Sequence, residues 1–161
     1  MNLQKIKVYH LFWIVSLLIV IIGITQNNNL KATLDINIHD TYFVVRNSDA
    51  TIFLFVCYFL IGLGYWLVQK VFKKRLVKYL TIIHSSILIG SFIFYWMVVL
   101  LVKLQLNDRT YNYSDDHEII NIILIIEFLI TIFIATPIYI INLLIGILRK
   151  GQTRINSAEK V

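Results

Sequence analysis

Residues 34–45, LDINIHDTYFVV, hold the densest specific polar chemistry in the chain: Asp35, His39, Asp40, Thr41 and Tyr42 among alternating Leu34, Ile36 and Ile38. An imidazole beside a carboxylate suits metal binding. Hard divalent cations take oxygen ligands, and transition metals accept one or two imidazoles as well. Asp49 and the run Asp115, Asp116, His117, Glu118 supply further donors. The candidate metal set is therefore His39, Asp40, Asp49, Asp116, His117 and Glu118. In a regular strand His39 and Asp40 point to opposite faces, so holding one ion needs a turn between them. The competing reading is ordinary solvated loop residues and helix caps, because no ligand spacing here is diagnostic.

A second group lies inside apolar runs. Glu127 sits in LIIEFLI, about nine residues or roughly 14 Å into its segment. A carboxylate in hydrocarbon costs at least about 2.5 kcal/mol, so it should face other helices and find a partner or a proton. Depth counting brings Tyr58, Tyr95 and Trp96 to its level, and a hydrogen bond from Tyr58 or Tyr95 to Glu127 is expected. Such an acid is either a proton- or ion-handling group or a polar staple between helices. His84, in IIHSSILIGS, is accompanied by Ser85, Ser86, Gly90 and Ser91, small residues that let helices approach and hydroxyls that can bond across an interface. Tyr65 and Trp66 fall at its depth. As a haem ligand His84 would need a facing histidine, and His10, the candidate, comes out too shallow; an interhelical hydrogen bond is the expected role of His84. Trp13, Tyr65, Trp66 and Tyr139 read as interface or packing aromatics.

These residues need a scaffold that tolerates lipid. The chain has 161 residues, is 58% hydrophobic and carries only 15% charged residues, with a mean hydropathy of +0.76. A water-soluble domain of this size has no means of hiding so much apolar surface. Four segments, 11–25, 51–68, 80–102 and 119–148, are long enough to span, and continuous apolar runs without in-out alternation mean helices rather than barrel strands. The first has Lys5 and Lys7 before it, as a signal peptide does. The following TQNNNLK lacks a small-x-small cleavage pattern, so the helix is expected to stay. Short connections give a single domain, with the second and third helices packed antiparallel. Pro137 should kink the fourth helix, and Ser114 should cap its start. The alternation in 32–45 is a strand signal in the 26–50 connection. Cys57 is the only cysteine, so no intrachain disulfide forms.

The formal charge is +6, and its distribution sets orientation. Lys5, Lys7, Lys70, Lys73, Lys74, Arg75, Lys78, Arg149, Lys150, Arg154 and Lys160 fall on one side; Lys31, Arg46, Lys103 and Arg109 fall on the other. Eleven against four places both termini and the 69–79 connection in the cytoplasm. A short basic loop between two spans is a topology determinant resting on anionic lipid rather than a nucleic-acid site.

HDTYFVV resembles a signature segment of subunit I of the haem–copper oxidases, the cytochrome c oxidase family. There a His-Asp-Thr-Tyr run at the outer membrane edge leads into a transmembrane helix, near a non-redox metal and the haem propionates. LDINI before it and GLGYW after it extend the likeness over about residues 34–66. In that family the run is normally followed by Ala-His-Phe-His, whose histidines bind haem iron. This chain has Asn47 and Asp49 at those places, and neither is a usual axial ligand. The resemblance therefore implies an outer-edge segment without the haem and copper chemistry, and an association with a respiratory membrane complex.

The expected fold is an all-α integral membrane bundle of four transmembrane helices, with both termini cytoplasmic and an extended outer loop at 26–50. No nucleophile–base pair, phosphate loop or catalytic metal motif stands in the sequence. The expected function is non-enzymatic: a multi-pass protein of a bacterial cell membrane whose outer HDTY cap is a binding or docking surface, for a divalent metal or for a membrane complex. Two other classes remain open. One is a small redox protein holding haem or quinone near His84 and His10. The other is a proton- or ion-coupled transporter using Glu127, which would need a homo-oligomer to enclose a pathway. The richness in Ile, Asn and Lys suits an AT-rich bacterial genome.

Overall fold

A computed structural model describes residues 7–26, 33–38, 41–105 and 113–149. The order is α1 (Val8–Gln26), β1 (Thr33–Ile38), β2 (Thr41–Arg46), α2 (Asn47–Trp66), α3 (Lys78–Gln105), α4 (Tyr113–Ile130) and α5 (Thr136–Leu148). Four helical stretches are long and apolar enough to cross a membrane: Val8–Thr25, Asn47–Val71, Lys78–Val102 and Ile119–Leu148. The last runs through α4 and α5. Each helix extends beyond its apolar run because the polar flanks continue the same backbone hydrogen bonding.

The 26–50 connection is more than an extended loop. β1 and β2 pair antiparallel, from Thr33 opposite Arg46 to Ile38 opposite Thr41. The strand signal read as one segment is thus two strands, and His39 and Asp40 are the two residues between them; both lie outside the described residues. The hairpin leans on α2 and on α4, so the acidic start of α4 shares its end of the bundle. α4 begins at Tyr113, which puts Ser114 inside the first turn rather than at the cap.

Helices α1 and α2 pack most closely. Glycine makes that approach: a methyl on Gly62 would lie 2.7 Å from Trp13 Cδ1 and 3.2 Å from Phe12 Cβ, and one on Gly23 would strike the Thr51 side chain. The short connection between α2 and α3 does not make them the closest pair. Those two meet instead through long side chains, Tyr58 against Leu88 and Tyr65 against His84. Gly90, expected to admit a neighbouring helix, faces open space. Ser85 turns its hydroxyl onto Thr81 O and Ile82 O of its own helix rather than across an interface.

At Pro137 the fourth span changes its winding. The proline ring lacks an N–H and crowds the carbonyl of residue 133. The residues before it, Thr131–Ala135, form a π turn. Thr136 Oγ1 donates to the Thr131 carbonyl at 2.9 Å, satisfying one group that the wide turn loosens. A second π turn, Leu67–Val71, ends the second span, and Lys73 follows with φ 52°, the left-handed region where glycine is usual. Phe72 N–H and Lys74 N–H close onto Leu67 O and Val68 O, each at 3.0 Å.

Candidate functional site

The most enclosed chemistry lies where all four spans converge. His84 of α3 is 1% exposed. Its Nδ1 is 2.9 Å from the Tyr65 hydroxyl of α2. The Tyr139 ring of α5 stacks on the imidazole at 5.0 Å and 23°, and Phe12 of α1 closes another side at 5.7 Å. Tyr65 and Tyr139 meet edge to face at 5.1 Å. Tyr139 is no lipid-facing aromatic; its hydroxyl donates to Ile61 O at 3.2 Å, and a side chain on Gly64 would occupy the same place. The expected interhelical role of His84 is met by Tyr65, at the depth the sequence assigned to it.

One turn toward the loop end lies a second polar knot. Asn142 of α5 is 0% exposed. Its Oδ1 accepts from Val77 N–H at 3.0 Å, and its Nδ2 donates to Thr81 Oγ1 at 2.8 Å. Val77 immediately precedes α3, so its N–H is one of the donors that a helix start leaves without an intrahelical partner. A side chain from another helix therefore caps α3. Thr81 Oγ1 donates in turn to Val77 O at 2.9 Å. Sequence reasoning passed over Asn142 and Thr81. An amide inside IYIINLLIGIL was the available signal, because polar groups in apolar spans face the bundle.

Chemically, these two clusters can hold helices together and tune a proton, but they leave little space. His84 is walled by rings from three other spans. His10 points away: it is exposed and packs its ring against Tyr9 at 4.2 Å and Trp13 at 6.2 Å. The two histidines are not brought face to face, so the bis-histidine haem arrangement does not form from them.

Glu127 shows a different departure. Tyr58 does not reach it; the Tyr58 hydroxyl donates to Leu88 O at 2.8 Å, a nearer carbonyl within the α2–α3 contact. Tyr95 packs edge-on against Trp96 at 5.6 Å. Both tyrosines are within Coulombic range of the carboxylate, yet Glu127 Oε1 is buried without a hydrogen-bond partner.

At the hairpin end, Asp49 is committed to Arg46, with Arg46 Nε 3.1 Å from Asp49 Oδ2 and both side chains well exposed. Asp49 lies in the first turn of α2, where a negative charge favours the helix dipole. That placement makes Asp49 one half of a surface ion pair. Asp116, His117 and Glu118 fall in the first two turns of α4, and their side chains lie outside those described. Among the described residues, no three His, Cys, Asp or Glu side chains converge on a point that fits a metal. The β2 strand itself is exposed: Tyr42 by 63%, Phe43 by 48% and Val44 by 60%.

Compared with protein-family models, curated proteins and solved structures, the chain finds no match. The likeness of HDTYFVV to the oxidase segment therefore stands on those residues alone.

Proposed function

We propose that this chain is a non-enzymatic multi-pass membrane protein whose β1–β2 hairpin is a docking surface for a partner in a respiratory membrane complex. One observation carries the reading: consecutive Tyr42, Phe43 and Val44 of β2 stand exposed on both faces of a two-stranded hairpin. Alternate residues of a strand face opposite sides, so among the described residues both faces of β2 keep exposed apolar side chains. A lone two-stranded hairpin is marginal in water, and an exposed apolar edge strand invites pairing or cover. The respiratory partner comes from the oxidase-like HDTYFVV run. The eleven-to-four basic asymmetry supports placing the hairpin on the outer face of a bacterial cell membrane.

The test is a photoreactive amino acid in place of Tyr42, cross-linked in native membranes. The expected result is a discrete protein adduct containing a respiratory-chain subunit. Lipid adducts alone would sink the reading and make the hairpin an interfacial anchor.

A second reading, ion-coupled transport, draws on the unpartnered Oε1 of Glu127. That oxygen has no hydrogen bond to break before it takes up a proton or an ion. It predicts that Glu127→Gln abolishes ion flux into vesicles while the protein stays folded.

A further inference from the structure

The loop end of the bundle carries an open groove of about 540 Å³, bounded by the start of α1, the connection between the second and third spans, and the first turn of α3. Lys7, Lys73, Lys74, Arg75 and Lys78 line it, and among the described residues no carboxylate does. Its remaining lining includes Val8, Leu76 and Ile82. Val8 and Ile82 belong to spanning helices, so the groove runs from a cationic loop into apolar helix flanks.

Two local features shape the cationic loop. The Lys74 ammonium donates to Arg149 O at 2.6 Å, tying the loop to the end of α5. Lys73 is held at φ 52°, a conformation disfavoured for a side-chain-bearing residue. Strained backbone of this kind persists only where its surroundings over-determine it, and such positions cluster at ligand sites.

We infer that this groove binds the phosphate headgroup of an anionic phospholipid. Five cations sharing a groove, with no carboxylate among its described lining residues, favour an anionic ligand. The adjoining apolar lining suits a ligand whose charged head carries acyl chains, and it offers nothing to a free phosphate. Basic pockets between spanning helices recognise lipid headgroups in this way. The site rests on the four helices spanning a membrane, and it is independent of hairpin docking.

The experiment is native mass spectrometry of the detergent-purified protein titrated with phosphatidylglycerol or with phosphatidylcholine of the same chains. Phosphatidylglycerol is expected to bind with 1:1 stoichiometry and phosphatidylcholine to be lost. Each cation near such a headgroup is worth roughly a five-fold change in affinity, so Lys73→Gln with Lys78→Gln should weaken binding about thirty-fold. Lys70→Gln removes the same charge from the same connection outside the groove, and should leave binding unchanged. Equal weakening by Lys70→Gln would mean diffuse surface attraction and would overturn the site. So would equal retention of phosphatidylcholine, or displacement of the lipid by millimolar glycerol phosphate. Tryptophan-fluorescence melts of each variant confirm that the fold is retained.

Discussion

Replacing Asn142 by Leu isolates the cross-helix cap of α3. Leu keeps the branch at Cγ and is the bulkier side chain, so no cavity opens. What is lost is hydrogen bonding at two points: the 3.0 Å bond from Val77 N–H and the 2.8 Å bond to Thr81 Oγ1. Stranding a partly buried amide donor costs about 1–3 kcal/mol. An interhelical side-chain bond between spans averages about 0.6 kcal/mol. Asn142→Leu should therefore destabilise the protein by about 2.5 kcal/mol. For a chain of this length each kcal/mol moves the melting temperature by about 2–4 °C, so a drop of about 5–10 °C is expected. Trp13, Trp66 and Trp96 provide the fluorescence signal in detergent. Thr81→Val is the companion variant. It removes the Thr81 hydroxyl and strands the buried Asn142 Nδ2 while leaving the bond to Val77 N–H, so it should cost about 1–3 kcal/mol as well. An unchanged melting temperature for Asn142→Leu would refute the capping argument.

Three further outcomes follow from the same contacts. Gly64→Ala should lower stability by about 1–3 kcal/mol, because the methyl collides with the Tyr139 hydroxyl and loosens the ring stacked on His84; adding Tyr139→Phe should restore part of the loss, and Gly90→Ala, with open space around it, should be neutral or slightly stabilising in thermal melts. Glu127→Gln should hold or raise stability by about 1 kcal/mol, since the buried Oε1 has no hydrogen bond to lose; a markedly lower melting temperature would reveal a partner for the carboxylate. The visible spectrum of the purified protein should lack a Soret band, because rings already occupy the space around His84; a Soret band abolished by His84→Leu would refute that.

The spans were legible because hydrocarbon thickness imposes a length on any apolar helix: the runs at 51–68, 80–102 and 119–148 met it, and the short run at 11–25 reaches it only with the preceding turn, as Val8–Thr25. Depth counting along two connected helices put Tyr65 level with His84, but it left Tyr65 among the packing aromatics and did not name it as the partner. The same counting failed for Glu127. Depth gives height in the membrane but not the direction a side chain faces, and it is blind to competing backbone carbonyls such as Leu88 O. The hairpin was half legible: alternation marked extended chain, but pairing depends on a partner strand that periodicity cannot name. Asn142 was overlooked because its partner is a helix start, a backbone group with no residue-type signature.

The π turn before Pro137 sets the relative phase of the two halves of the fourth span. An α-helix advances about 100° per residue, so one extra residue in a turn rotates everything beyond it by about that angle. The half containing Tyr139 and Asn142 is keyed to the other helices by its hydrogen bonds. The half containing Glu127 has no such key at Oε1, and its azimuth is inherited from the winding at Thr131–Ala135. Loss of one residue there would turn the carboxylate by roughly a quarter circle while the keyed half stayed in place. The acid's bearing is therefore a property of five apolar and hydroxyl residues at some remove from it, and substitutions among them act on Glu127 as a hand acts on a compass ring.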